Sequence, residues 1–265
     1  MRGGKFRFIL RRLIKFYSNY WIVFCIFVPL GVFVFDRGLS IPYGESRFII
    51  KPLLLDIFGL QHFSSYNTTW WFNRLIILLW ITFPLFHKLI TSHSESMLLL
   101  PISIIIFPSD VLAFILGIYL ATYQHRINEI IDRFGQFSVM AVLSFILSVL
   151  CINRNTGVIE CLAGVKADPY ISLTIVILVP IVIKKIIKRA VFFPFLGEHS
   201  INIYLVHTFI YYYFFSDFIY SFKYPALIFL VLLILTLCIS IALEELKKRT
   251  GYVNLVRKLL DCFSN

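Results

Sequence analysis

Long apolar runs separated by short basic connections constrain this chain more than any other feature. They fall at 16–35, 71–87, 97–107, 111–123, 137–152, 170–187, 201–215 and 226–243. A helix that crosses a hydrocarbon layer of about 30 Å needs roughly 20 apolar residues. Hydrophobic residues make up 59% of the 265 positions and charged ones 15%, and the mean hydropathy is +0.85. Globular chains average about 45–50% apolar and about 25% charged residues, so a soluble fold is excluded. Peptide groups in hydrocarbon must be paired within the protein, which leaves helices or closed barrels. The ten-residue alternation of a barrel is absent. The expected fold is all-α: a polytopic transmembrane helix bundle of about eight spans, forming one domain over 1–265.

The formal net charge of +11 does not point to nucleic acid, because the charges lie between the apolar runs, where basic loops report orientation. One region decides that orientation. MLLLPISIIIFPSDVLAFILGIYLATY is interrupted at Pro108, Ser109 and Asp110, and it crosses either once or twice. Two passes place 18 of the 25 Lys and Arg residues on one side, together with the Lys184–Arg189 run and with Lys247, Lys248 and Arg249. One pass sends those groups outside. The positive-inside rule favours two passes, with both termini and the tail 244–265 cytoplasmic. The two short spans are then expected inside the bundle or along a cavity. The outer loop 36–70 holds a turn-rich stretch, DRGLSIPYGESR. After it comes FIIKPLLLDIFGL, too short and too charged to span, which reads as an interfacial or re-entrant helix.

The five cysteines include no CxxC pair, and no histidines are spaced as in HExxH, so no metal site is expected. Cys151 and Cys161 fall near one loop, and their pairing is left open. The basic N-terminus leads into a span too long for a signal peptide, without a small-residue cleavage site. His62, His87, His93, His125 and His199 flank spans or lie in loops. His199, beside Glu198, reads as a solvated loop residue or as a contact for phosphate. Asn67-Thr68-Thr69 matches a glycosylation sequon.

The most specific segment is PFLGEHSINIYLVHTFIYYYFF, Pro194 to Phe215. Gly197 is expected to end one element and Ser200 to cap the next. Spacings of 4, 3 and 4 put Ser200, Tyr204, His207 and Tyr211 on one helical face. His207 then lies roughly 10 Å deeper than Ser200. It is read either as a neutral histidine joining helices or as a catalytic group. Trp70 and Trp71, at the outer start of the second span, read as an interfacial aromatic belt or as a platform for a sugar ring. Arg74 lies about one turn inside and is expected to snorkel outward or to pair with Asp110.

LGEHSINIYLVHTF resembles the late-helix motif of the membrane-bound acyltransferase family 3, a pattern like LGxxSxxIYLxH. RFILRRLIKFYSNYWIV, WWFNRLIILLWITFPLF and FPSDVLAFILGIYLA resemble further segments of that family in the same order, over residues 6–248. The resemblance implies ten or eleven helices in a bacterial plasma membrane. It also implies transfer of an acyl group, usually acetyl from cytoplasmic acetyl-CoA, to a hydroxyl of a cell-envelope sugar or polysaccharide. Acetyl-CoA is expected as co-substrate, with no bound cofactor. The family's catalytic histidine, about eleven residues after an arginine in its first helix, has no match before Arg11. The chain is therefore expected to lack the N-terminal two helices. Arg11, Arg12 and Lys15 are implied to bind donor phosphates, with Arg12-Leu13-Ile14-Lys15 standing for the family's RxxR; the alternative is that they only set topology. His207 and Tyr204 are implied on the catalytic side, with Tyr204 either donating to developing carbonyl charge or packing between helices. Trp70, Trp71, Arg74 and Asp110 are implied on the acceptor side. The competing readings are a polytopic transporter or flippase of envelope glycans and an inactive remnant. Transport predicts several charges along a membrane path or repeated halves; the spans hold few charges and show no repeat.

Overall fold

The computed structural model describes residues 2–44, 49–61, 65–91, 108–157, 166–186 and 192–262. Every regular element among them is helical. Helix α1 spans Arg2–Val34, α2 Ile50–Ile57, α3 Trp71–Thr91, α4 Ser109–Thr122 and α5 Gln124–Phe134. Then follow α6 over Gln136–Thr156, α7 over Asp168–Ile186, α8 over Phe192–Thr208, α9 over Pro225–Arg249 and α10 over Tyr252–Cys262. A π-helical turn, Phe209–Phe214, continues α8.

Among the described residues, four stretches are long and apolar enough to cross a membrane: Arg7–Val34, Thr68–Thr91, Gln136–Thr156 and Pro225–Arg249. Ser109–Thr122 and Asp168–Ile183 are shorter apolar helices. The expected span 97–107 lies outside the described residues, as do Cys161, His62 and His93. Pro29, Pro84 and Pro180 sit inside α1, α3 and α7, a placement membrane helices tolerate when neighbouring groups satisfy the freed carbonyls.

The chain forms two compact units, Met1–Ile81 with Val191–Asn265, and Thr82–Ala190. In the second unit α7 packs on α4 and α6, and Phe86, Ile90, Ile115 and Ile118 form a small core. Helix α6 turns Phe145, Val149 and Ile152 outward, as a helix facing lipid does, while Arg154 pairs with Asp168 at 3.0 Å.

In the first unit α8 packs on α1 and α9. Apolar side chains gain little from leaving lipid tails, so such contacts rest on van der Waals fit and on hydrogen bonds between helices. Here the fit is aromatic. Trp70 lies 4.9 Å from the Tyr20 ring, 5.7 Å from Phe24 and 5.6 Å from Phe209. The segment expected to form an interfacial or re-entrant helix is helical, as α2. Ile50, Leu54 and Phe58, one every fourth residue, are exposed, whereas Asp56 and Gly59 on the other side are buried.

Candidate functional site

Helix α8 carries two polar clusters, one towards each end. Its start differs from the expectation: the helix runs unbroken through Gly197, and Ser200 lies inside it instead of capping it. Pro194 sits in the first turn, where its missing N–H costs nothing. Ser200 donates back to the Gly197 carbonyl at 2.8 Å, so its hydroxyl is satisfied without ending the helix.

The first cluster lines a cavity of about 490 Å³ among α1, α8, α9 and α10, with Lys15, Glu198, His199, Glu244, Lys247 and Lys248 on its walls. His199 is buried, not a solvated loop residue, and its Nδ1 lies 2.8 Å from Ser240 Oγ. Asn202 Nδ2 donates to Ser240 Oγ at 3.1 Å and to Glu244 Oε1 at 2.8 Å. Lys247 donates to Glu244 Oε1 at 2.6 Å and to Asn19 Oδ1, which ties α9 to α1. Of the three predicted donor-binding residues, Lys15 lines the cavity. Arg11 and Arg12 are exposed earlier on α1, with the Arg12 guanidinium 5.4 Å from the Phe8 ring centre.

The second cluster surrounds His207. Its Nδ1–H donates to the Tyr204 carbonyl at 2.6 Å, and Nε2 lies 3.3 Å from Thr208 Oγ1. The Thr208 and Thr69 hydroxyls are 3.1 Å apart, and Thr69 donates to Asn67 Oδ1 at 2.8 Å. The Tyr211 ring stacks on His207 with centroids 5.9 Å apart. The shared face of Tyr204, His207 and Tyr211 is therefore present. The Tyr204 phenol donates to the Thr69 carbonyl at 2.6 Å, so its proton serves to join helices and is not free for a carbonyl oxygen.

Trp70 corrects the acceptor-side assignment. It is 1% exposed, and its indole N–H points to the Leu205 carbonyl at 3.3 Å, so no face is left for a sugar. Trp71 is 37% exposed. Asn67 is fully buried; its side chain accepts from the Thr69 N–H at 3.0 Å and caps the turn Thr68–Trp70. The sequon is therefore a capping element. Arg74 and Asp110 are both exposed and belong to different units.

Sequence reasoning missed Asp56, which is 1% exposed. Its Oδ2 accepts from the Tyr43 hydroxyl at 2.5 Å and from the Tyr66 N–H at 2.6 Å, and its own carbonyl accepts from Tyr20. Burial pushes its carboxyl up to about 6, against the two hydrogen bonds, which pull it down. Among the described residues no group of three or more His, Cys, Asp or Glu side chains is arranged to hold a metal.

Apolar helices long enough to cross a membrane, with a polar cavity among α1, α8, α9 and α10, define an integral membrane protein. The model of an acyltransferase domain, acyltransferase family 3, matches residues 2–245, and the chain belongs to that family. No curated protein and no solved structure matches it.

Proposed function

We propose that this protein transfers an acetyl group from acetyl-CoA to a hydroxyl of a cell-envelope sugar or polysaccharide across a bacterial plasma membrane. The observation that carries this reading is the cavity of about 490 Å³ with Lys15, Lys247 and Lys248 on its walls, at the end of the chain's match to the family over residues 2–245. A CoA donor brings several phosphate charges, and ammonium groups are suited to them as point charges. Arg11 and Arg12 extend the same basic stretch of α1.

An alcohol attacks a thioester only as a base takes its proton, and a histidine suits that work at neutral pH. His207 is the candidate. With Nδ1–H committed to the Tyr204 carbonyl, the neutral ring leaves Nε2 as its proton acceptor. His199 is eight residues earlier, about 12 Å along the helix, too far to serve the same carbonyl carbon. His207 therefore belongs with the acceptor hydroxyl and His199 with the donor. The Tyr204 carbonyl holds the His207 ring through Nδ1, and exposed Trp71 offers a ring face to a sugar.

The test supplies labelled acetyl-CoA and envelope glycans to membranes containing the protein. The expected product is a hydroxylamine-labile ester on the glycan, lost in His207→Gln. Glycan movement without acylation would favour the transporter reading instead.

A further inference from the structure

His199 faces two ways. Its Nδ1 is engaged by Ser240 Oγ at 2.8 Å, and Ser240 is fully buried. Nε2 is therefore the ring nitrogen left to the cavity that His199 lines. Asn202, also fully buried, holds Ser240 and Glu244 in place through Nδ2, while its Oδ1 has no protein partner.

We propose that His199 makes anion binding in this cavity proton-linked: the imidazolium donates Nε2–H to a phosphate oxygen of the donor and Nδ1–H to Ser240 Oγ. A neutral imidazole can give the phosphate only an uncharged Nε2–H while Nδ1 accepts from Ser240; the imidazolium donates from both nitrogens and brings a positive charge to the anion. A serine hydroxyl can accept from Nδ1–H as well as donate to it, so Ser240 supports the ring in both states. This inference rests on the donor reading of the cavity.

Charged and titratable groups from α1, α8, α9 and α10 line the cavity around the ring. Glu198 stands beside it on α8, and Glu244 on α9. Lys247 on α9 is tied to Glu244 at 2.6 Å and to Asn19. Lys15 on α1 and Lys248 on α9 are exposed at the wall, and α10 contributes Tyr252. The edge of the Phe195 ring packs on the imidazole, centroids 4.8 Å apart.

The sign of the pH dependence identifies the group. Imidazoles exchange their proton between about pH 5 and 8, so the proposed bond weakens anion binding as pH rises through that window. A phosphate monoester gains its second charge near pH 6, and that alone strengthens binding to lysines as pH rises. The two effects run in opposite directions.

The test is equilibrium binding of labelled CoA to the full chain in lipid nanodiscs at about pH 5.5 and about pH 8. The expected result is about tenfold weaker binding at the higher pH, as for the loss of one charge-assisted hydrogen bond. His199→Gln should bind like the parent at the higher pH and lose the decline. Ser240→Ala, which removes the acceptor of Nδ1–H, should reduce the decline with Lys15 and Lys248 still present. Affinity that is flat or rises with pH in the parent, or a decline that survives in His199→Gln, overturns the inference and leaves the donor reading standing. Absence of CoA binding at both pH values overturns both.

Discussion

The Tyr66 hydroxyl occupies the position that a Cβ on residue 31 would need. Glycine at 31 lets the Tyr66 ring lie against α1, where its hydroxyl donates to the Arg37 carbonyl at 2.7 Å, three residues past the end of that helix. Gly31→Ala should lower stability by about 1–3 kcal/mol, the usual cost of overpacking. Tyr66→Phe removes the crowding oxygen, so the double variant should lose less than the sum of the two single losses. Thermal unfolding in detergent measures both.

Asp56 gives this segment a pH dependence. Its carboxyl is raised to about 6 from an ordinary value of 3.8, so the folded state holds the proton more tightly than the unfolded state does. Its contribution is greatest below about pH 4, falls as pH climbs towards about 6, and is flat above. The shift corresponds to about 3 kcal/mol. Asp56→Asn should flatten that decline, because the amide keeps an acceptor for Tyr43 and Tyr66. Denaturant midpoints taken across this window provide the check; a parent whose stability rises from about pH 4 to 6 would contradict it.

Trp70 and Trp71 should separate structure from surface. Trp70→Ala should cost about 3–5 kcal/mol, as for a large buried aromatic. Trp71→Ala should leave unfolding nearly unchanged and weaken glycan acceptor binding, read as a higher KM. Equal losses of stability in the two variants would contradict the assignment.

These residues also show where the sequence was legible. The positions of the apolar helices followed from the apolar runs, because a peptide group in hydrocarbon has few alternatives to helix; α5 and α10, which lie outside those runs, did not. The shared face of Tyr204, His207 and Tyr211 followed from spacing alone. The phase of that face did not: adjacent residues diverge by about 100° around a helix, so one Trp points inward and the other outward, and the pair itself does not say which. The burial of His199 depends on Ser240, 41 positions away. Likewise the buried role of Asn67 depends on the Leu205 carbonyl in α8. Periodicity names the residues on a face but not the partner that covers it. Ser200 and Gly197 carried cap chemistry that the apolar residues before them overrode by extending the helix.

Asn67 should remain unmodified in any host, because its side chain is fully buried. Asn67→Ala removes the cap of the Thr68–Trp70 turn and should cost about 1–2 kcal/mol. Mass spectrometry of protein made in a glycosylating host checks the first statement, and thermal unfolding the second.

Where the donor sits is the central claim, and photo-crosslinking locates it most directly. A CoA analogue carrying a photoreactive group on its sulfur is irradiated with the protein in nanodiscs, and the labelled peptides are sequenced. The account predicts label on peptides of α8 and α9 that border the His199 cavity, competed by free CoA and reduced in Lys15→Ala. Label confined to α4, α6 and α7, or label that free CoA does not displace, would contradict it.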